Sequence, residues 1–159
     1  MDSHLQYVVE RAGRVDISFN AVGIPDAEIL GVPLTQMDAE QFRISRETAE
    51  TIAVARAQGR RVVAVGTTVV RTLEASARAH DGVVVAGQEA TDLFIVPGAR
   101  FAVVTDLVTN FHLPRSTLLM LVAAFAGREP VLAAYAEAVR LGYRFYSYGD
   151  AMLITGEAA

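Results

Sequence analysis

The sequence predicts an α/β fold with a mostly parallel sheet flanked by helices, and three observations support it. Short β-branched runs alternate with stretches of helix-forming residues, which is typical of strand–helix–strand units. The 159 residues are 52% hydrophobic and 20% charged, which is enough apolar surface for one core. No cysteine is present, which excludes a disulfide scaffold, thiol catalysis and a cysteine–zinc site. We expect a single domain over residues 1–159, with some antiparallel pairing near residues 83–104.

The first elements are predicted from the local residue pattern and from the positions of glycine and proline. Residues 16–22 read as a strand, and glycines and prolines make residues 23–33 a loop. Residues 47–58 are rich in helix formers and stop at Gly59. The β-branched run 61–65 is short enough for a buried strand. A helix then follows Gly66 to about residue 79, with one apolar face formed by Val70, Leu73 and Ala77.

In the second half, further strands are predicted at residues 83–85, 93–96, 101–104 and 151–154. Ser116 or Thr117 is the expected N-cap of a helix over residues 118–126, which is apolar on nearly all sides and should be buried. Gly127 ends it. Residues 131–141 are expected to form an amphipathic helix whose apolar face contains Leu132, Tyr135 and Val139.

Charge and hydropathy narrow the class of protein. The net charge of −4 gives no general attraction to nucleic acid, and all 14 basic residues are arginine. The apolar stretch 118–126 is too short to cross a bilayer. The first residues lack the pattern of a secretory signal. We therefore expect a soluble cytoplasmic protein.

Polar side chains cluster at three places. Gly66, Thr67 and Thr68 join a strand to a helix N-terminus, which either caps the helix or holds an anionic ligand. Residues 109–117 bring an amide, an imidazole, a guanidinium and hydroxyls to a loop, where His112 can move protons near neutral pH. Residues 143–150 interleave aromatic side chains with an arginine, a pattern that suits stacking on a nucleic-acid base. Alternatively, the aromatics pack at the edge of the core and Arg144 pairs with Asp150. Glu74 lies within reach of Arg71 for a surface ion pair.

Four motifs in order resemble the C-terminal part of the S-adenosylmethionine:tRNA ribosyltransferase-isomerases of queuosine biosynthesis. They are GTTVVRTLE (66–74), TDLFIVPG (91–98), DLVTNFHLPRSTL (106–118) and YRFYSYGDAML (143–153). The resemblance is strong over residues 60–155 and loose over 15–59. Residues 35–40 keep Met37 and Glu40 of the family's HxMHxE motif, and Val69 replaces a serine. The family's N-terminal part and inserted β-barrel domain are missing, so we expect either a truncated piece or a divergent relative.

The resemblance implies a transferase and isomerase. It would move the ribosyl part of S-adenosylmethionine onto 7-aminomethyl-7-deazaguanine at the wobble position of tRNA. The product would be epoxyqueuosine, with release of adenine and methionine. S-adenosylmethionine would be a co-substrate, with no permanently bound cofactor and no metal. A partner chain, or self-association, is expected to cover exposed sheet edges.

Site roles are hypotheses for the reaction that the resemblance implies. The expected catalytic residues are His112 as the proton-moving group, with Asp106 or Asp150 orienting it. The expected substrate-binding residues are Gly66, Thr67, Thr68, Arg71, Thr109, Asn110, Phe111, Arg115, Ser116, Thr117, Tyr143, Arg144 and Tyr148. The alternative is a non-catalytic fragment of the family that binds a nucleotide or tRNA. A generic methyltransferase is disfavoured because no glycine-rich first-strand loop is present.

Overall fold

A computed structural model describes residues 39–156. The strand predicted over residues 16–22, the loop over 23–33 and most of the 35–40 motif lie outside this range. The described elements, in chain order, are β1 (Glu40–Ile44), α1 (Arg46–Ala57), β2 (Val63–Val65), α2 (Thr67–Ala79), β3 (Gly87–Thr91), β4 (Asp106–Asn110), α3 (Thr117–Ala126), α4 (Arg128–Arg140) and β5 (Ala151–Thr155).

The described strands form two sheets. The central one has the order β2-β4-β5, with β2 parallel to β4 and β5 antiparallel to it. The other is an antiparallel pair of β1 and β3. The α/β class and the antiparallel pairing near residues 83–104 are thus confirmed, although antiparallel pairings outnumber the parallel one among the described strands.

Three predicted elements are confirmed in detail. The helix predicted over residues 47–58 is α1, which begins after Ser45, whose hydroxyl accepts a hydrogen bond from the Thr48 amide at 3.0 Å. In α2 the predicted apolar face of Val70, Leu73 and Ala77 is buried. It packs with Ala64 and Leu107 of the central sheet in one core. The last strand, predicted at residues 151–154, is β5.

The strands predicted at residues 83–85, 93–96 and 101–104 are wrong. These segments are irregular, although their Val84, Ile95, Val103 and Val104 side chains are buried. The strand in this region is β3, a mostly exposed and polar segment held by its pairing with β1. The runs are apolar because they cover the core, and burial alone does not make a strand.

The last two helices differ from the prediction in what they bury. Ser116 is the N-cap of α3, accepting from the Leu119 amide at 3.1 Å, and Gly127 ends the helix at φ +84°, both as predicted. Within α3 only Leu121 and Val122 are buried.

The predicted apolar face of α4 is wrong at two of its three residues, since only Tyr135 packs against the core. Leu132 and Val139 are exposed, while Val131 and Ala138 turn inward. In residues 39–156, no helix taken alone is long and apolar enough to span a membrane; α3 and α4 pass that test together, but they meet at a 115° bend.

Candidate functional site

Two of the predicted polar segments meet at one edge of the central sheet. Strand β2 ends at Val65, which pairs with Val108 of the parallel strand β4. The next residue, Gly66, donates its amide proton to the Val108 carbonyl at 2.8 Å. Residues 66–68 therefore lie beside residues 109–112, at the carboxyl ends of adjacent parallel strands, which is where α/β folds bind ligands.

The segment after β2 turns sharply into α2. Gly66 is the N-cap residue with φ +98° and ψ 146°, and because it has no side chain it provides no capping hydrogen bond. A Cβ there would meet nothing within 4 Å, so glycine is needed for its backbone angles rather than for space. Thr67 is buried and Thr68 is half-buried. The amide groups of this first turn lack side-chain acceptors of the usual N-cap kind.

His112 is held at two points. Its Nε2 lies 2.8 Å from Thr109 Oγ1, and its backbone amide donates to the Tyr135 hydroxyl at 2.8 Å. Burial lowers the pKa of the imidazole from 6.5 to about 4. The ring is therefore neutral at physiological pH. Tyr135, which reaches His112 from α4, was missed as a site residue because the sequence showed it only as part of an apolar helix face.

This lowered pKa predicts a loss of stability as the pH falls. In the unfolded chain the imidazole binds its proton near pH 6.5, but in the folded chain only near pH 4. Between these values the unfolded state binds more protons, so the free energy of unfolding decreases as the pH is lowered. From pH 7.5 to pH 5 we expect His112 to account for a loss of about 2 kcal/mol. Urea unfolding of the wild type and His112→Gln at both pH values tests this, because the variant should lose that much less. Equal losses in both proteins would contradict it.

The segment 143–150 packs against the same edge. The Tyr146 amide donates to the Phe111 carbonyl at 2.9 Å, and Asn110 Nδ2 donates to the Asp150 carbonyl at 3.3 Å. The Asp150 carboxylate accepts from the Arg144 amide at 2.7 Å and from its guanidinium at 3.2 Å. Asp150 therefore lies near the site, with its carboxylate bound to Arg144.

Exposed groups border this edge. Tyr143 is 47% and Tyr148 98% exposed. Arg115 is exposed and has φ +61°, a left-handed conformation that costs energy for a residue with a Cβ. Ser116 and Thr117 follow it at the start of α3, where the Ser116 hydroxyl is already used as the helix cap.

Two residues that were predicted to bind substrate, Arg71 and Phe111, serve the fold instead. Arg71 is buried, contacts Glu40 at 2.7 Å, and donates to the backbone carbonyls of Leu93 and Thr91. A guanidinium enclosed in this way holds α2 to the β1–β3 ribbon. Phe111 is 3% exposed and its ring packs against those of Tyr135 and Phe145 at 5.2 and 5.1 Å.

Asp106 is also misplaced by the prediction. It begins β4, opposite Val63 at the amino end of the sheet, and its carboxylate pairs with Arg61 and accepts from the Thr105 hydroxyl. Thr109 lies three positions further along the strand, a distance of about 10 Å. Asp106 therefore cannot orient the imidazole. Thr109 makes the ring contact instead.

No metal cluster marks this edge in the part of the chain that the structure describes. Within residues 39–156, no three His, Asp or Glu side chains are grouped to hold a metal ion. A cavity of about 30 Å³ lies elsewhere, between α1 and the β2–α2 unit, and is lined mainly by aliphatic side chains such as Ile44, Ile52 and Leu73. Its lining offers little to a polar substrate, so the candidate site remains the open sheet edge.

Comparisons with known proteins match these same segments. The family model described as "Queuosine biosynthesis protein" matches residues 27–154. The S-adenosylmethionine:tRNA ribosyltransferase-isomerase of Moorella thermoacetica is 66% identical over 118 residues, which are 74% of this chain and 34% of that protein. The protein of the same name from Heliobacterium modesticaldum is 62% identical over 119 residues, 75% of this chain and 35% of that one.

A solved structure is similar as well. The crystal structure of S-adenosylmethionine tRNA ribosyltransferase from Thermotoga maritima aligns with a TM-score of 0.66 and 54% identity. The alignment covers 72% of this chain and 40% of that protein. The chain thus spans about a third of the length of the curated relatives named above.

Proposed function

The chain belongs to the queuosine biosynthesis protein family, and we propose that it carries the part of a ribosyltransferase-isomerase that binds S-adenosylmethionine and assists the departure of adenine. One observation carries this proposal above all: segments 66–68 and 109–112, both inside the family match, are joined by the hydrogen bond from Gly66 to Val108. They form a polar edge that suits a small charged nucleoside.

The proposed reaction makes clear chemical demands. The sulfonium of S-adenosylmethionine makes the adjacent ribose carbon electrophilic and its protons acidic. The aminomethyl group of the 7-deazaguanine must be neutral to attack, and adenine must be helped to leave. In the proposal, the methionine carboxylate lies at the amide groups of Thr67 and Thr68, just past Gly66, whose own amide is bound to Val108, where a helix N-terminus favours negative charge. His112 acts near the ribose and adenine.

We assign tRNA contacts to the exposed groups at the border of the site. Tyr143 and Tyr148 offer aromatic faces on which unpaired bases stack, and Arg144 and Arg115 offer guanidinium groups for phosphates. Asp150 would keep Arg144 in place through their ion pair. Thr109, Asn110, Ser116 and Thr117 complete the edge. A covering partner chain and a cytoplasmic location stay predictions, as does a single domain over residues 1–159.

A second candidate function has its own support. The chain spans about a third of the curated relatives, and residues 35 and 38 are Thr and Asp where the family motif has histidines. In this second candidate function, the chain binds S-adenosylmethionine or tRNA but does not catalyse the reaction.

Two measurements separate the candidates. Calorimetric titration with S-adenosylmethionine tests binding, and adenine release in the presence of precursor tRNA tests turnover. Binding together with tRNA-dependent adenine release is the outcome expected for the enzyme. Binding without adenine release supports the second candidate, and no binding of either ligand contradicts both.

A further inference from the structure

The imidazole of His112 has one ring nitrogen engaged and one free. Nε2 lies 2.8 Å from Thr109 Oγ1. Nδ1 has no hydrogen-bond partner among residues 39–156, and the ring is half-buried at the edge described above. A neutral imidazole carries a single ring proton, so the partner at Nε2 determines whether Nδ1 acts as a donor or an acceptor.

Thr109 decides the position of that proton. Its side chain is 4% exposed, and within the described residues the hydroxyl has no hydrogen-bond partner besides Nε2. If Nε2 carried the proton, the hydroxyl would accept it and its own proton would be left without an acceptor. A buried donor left unsatisfied costs about 1–3 kcal/mol. If the hydroxyl donates to Nε2, both groups are satisfied.

We propose that Thr109 is a positioning residue which donates to Nε2 and fixes the proton of His112 on Nδ1, so that His112 faces the substrate as a neutral hydrogen-bond donor rather than as a base. The matching substrate group is an acceptor such as a ring nitrogen of adenine, where the electron pair of the breaking bond to ribose collects. No bond to hydrogen breaks at His112, because a neutral imidazole that lost its proton would become an unfavourable anion; the departing adenine, which holds the electron pair, takes its proton from solvent. This assignment of the acceptor rests on the proposed function; the position of the proton does not.

A donor of this kind fits the lowered basicity of the ring. Burial already keeps His112 neutral, with its pKa lowered to about 4. A base at this position would have to accept a proton at Nδ1 against that trend. A neutral donor needs no change of charge, and fixed donors aimed at developing negative charge are among the strongest contributors to catalysis.

The test is the ¹⁵N spectrum of the full chain carrying ¹⁵N-labelled histidine, recorded at pH 7. The three histidine rings are distinguished by comparison with His112→Asn. We expect a protonated, pyrrole-type Nδ1 and an unprotonated, pyridine-type Nε2 for His112. Thr109→Ser should keep this pattern, and Thr109→Val should move the ring toward the other tautomer. Thr155→Val, on the exposed end of β5, is the matched control and should change nothing. A protonated Nε2 in the wild type overturns the proposal, whatever the variants do.

Kinetics test the role in the reaction separately. For adenine release we expect Thr109→Val to lower kcat by about 10- to 100-fold with a smaller change in KM, and Thr109→Ser to retain most of the rate. An unchanged kcat in a variant whose tautomer has moved would overturn the donor role. If the wild type binds neither ligand and releases no adenine, the proposed function fails, and the spectrum still decides the position of the proton.

Discussion

Replacing Glu74 with alanine is expected to lower the free energy of unfolding by about 3–5 kcal/mol. Its side chain is fully buried on α2. The carboxylate accepts hydrogen bonds from three consecutive backbone amides: Ala102 at 2.7 Å, Val103 at 2.9 Å and Val104 at 3.0 Å. Alanine would leave all three donors without this acceptor, and those of Val103 and Val104 are buried. Urea unfolding at pH 7 measures the loss.

This interaction replaces the one expected from the sequence. The spacing predicts a surface ion pair between Glu74 and Arg71, but Arg71 turns to Glu40 and Glu74 turns inward. Its carboxylate anchors the irregular segment that leads into β4. The loss should therefore also loosen the start of that strand.

A matched control separates burial from charge. Glu137→Ala on α4 removes a carboxylate that is exposed and paired with Arg140 at 2.5 Å, and we expect its urea midpoint to equal that of the wild type. Glu74→Gln keeps the shape and one acceptor oxygen, so it should fall between the wild type and the alanine variant. A Glu74→Ala protein as stable as Glu137→Ala would contradict this account of the 102–104 segment.

Removing the His112 side chain is expected to have the largest effect on turnover. We expect His112→Ala to lower kcat for adenine release by about 10²–10³, the usual cost of losing one fixed hydrogen-bond donor to developing charge. S-adenosylmethionine should still bind within a few-fold, because its carboxylate is assigned to the amide groups of Thr67 and Thr68 rather than to His112. Steady-state adenine release and calorimetry measure the two effects.

Two amide variants refine this test. The side-chain nitrogen of asparagine has the reach of Nδ1, whereas that of glutamine has the reach of Nε2. His112→Asn should therefore retain more activity than His112→Gln if Nδ1 is the donor. His80→Gln is the control, since His80 lies at the opposite end of α2 and contacts the Ser76 carbonyl. Full turnover in His112→Ala would remove His112 from the reaction.

The fold was predictable wherever the signal is local. The turn at Gly66, the N-cap Ser116 and the stop at Gly127 depend on interactions within a few residues along the chain, so their positions follow from sequence. The exposed strand β3 was not predictable, because its residues are polar and its register depends on β1, more than 40 residues away along the chain.

The prediction of the apolar face of α4 was wrong at Leu132 and Val139 for a related reason. Leu132 and Val139 fit a helical period, yet their neighbours Val131 and Ala138 fit it too, and only packing selects between these faces. Leu132 and Val139 stay exposed in the part of the chain that the structure describes.

The candidate site was predictable where it lies on contiguous motifs. Residues 66–68 and 109–112 meet because two parallel strands end together, although the second of these strands, β4, was predicted too early, at residues 101–104. The wrong assignments of Asp106 and Arg71 concern long-range partners, Arg61 and Glu40, that no spacing along the chain indicates. Tyr135 was missed for the same reason, because its hydroxyl reaches His112 across 23 positions.

Amide chemical shifts of the ¹⁵N-labelled chain, followed during titration with S-adenosylmethionine, test most directly whether this nucleoside binds where the two parallel strands end. We expect saturable shifts at Gly66, Thr67 and Thr68 and at Asn110 and His112, with little change at Thr155 on the opposite end of the sheet. Shifts confined to Ile44 and Thr48 beside the aliphatic cavity, or none at saturating ligand, would contradict it.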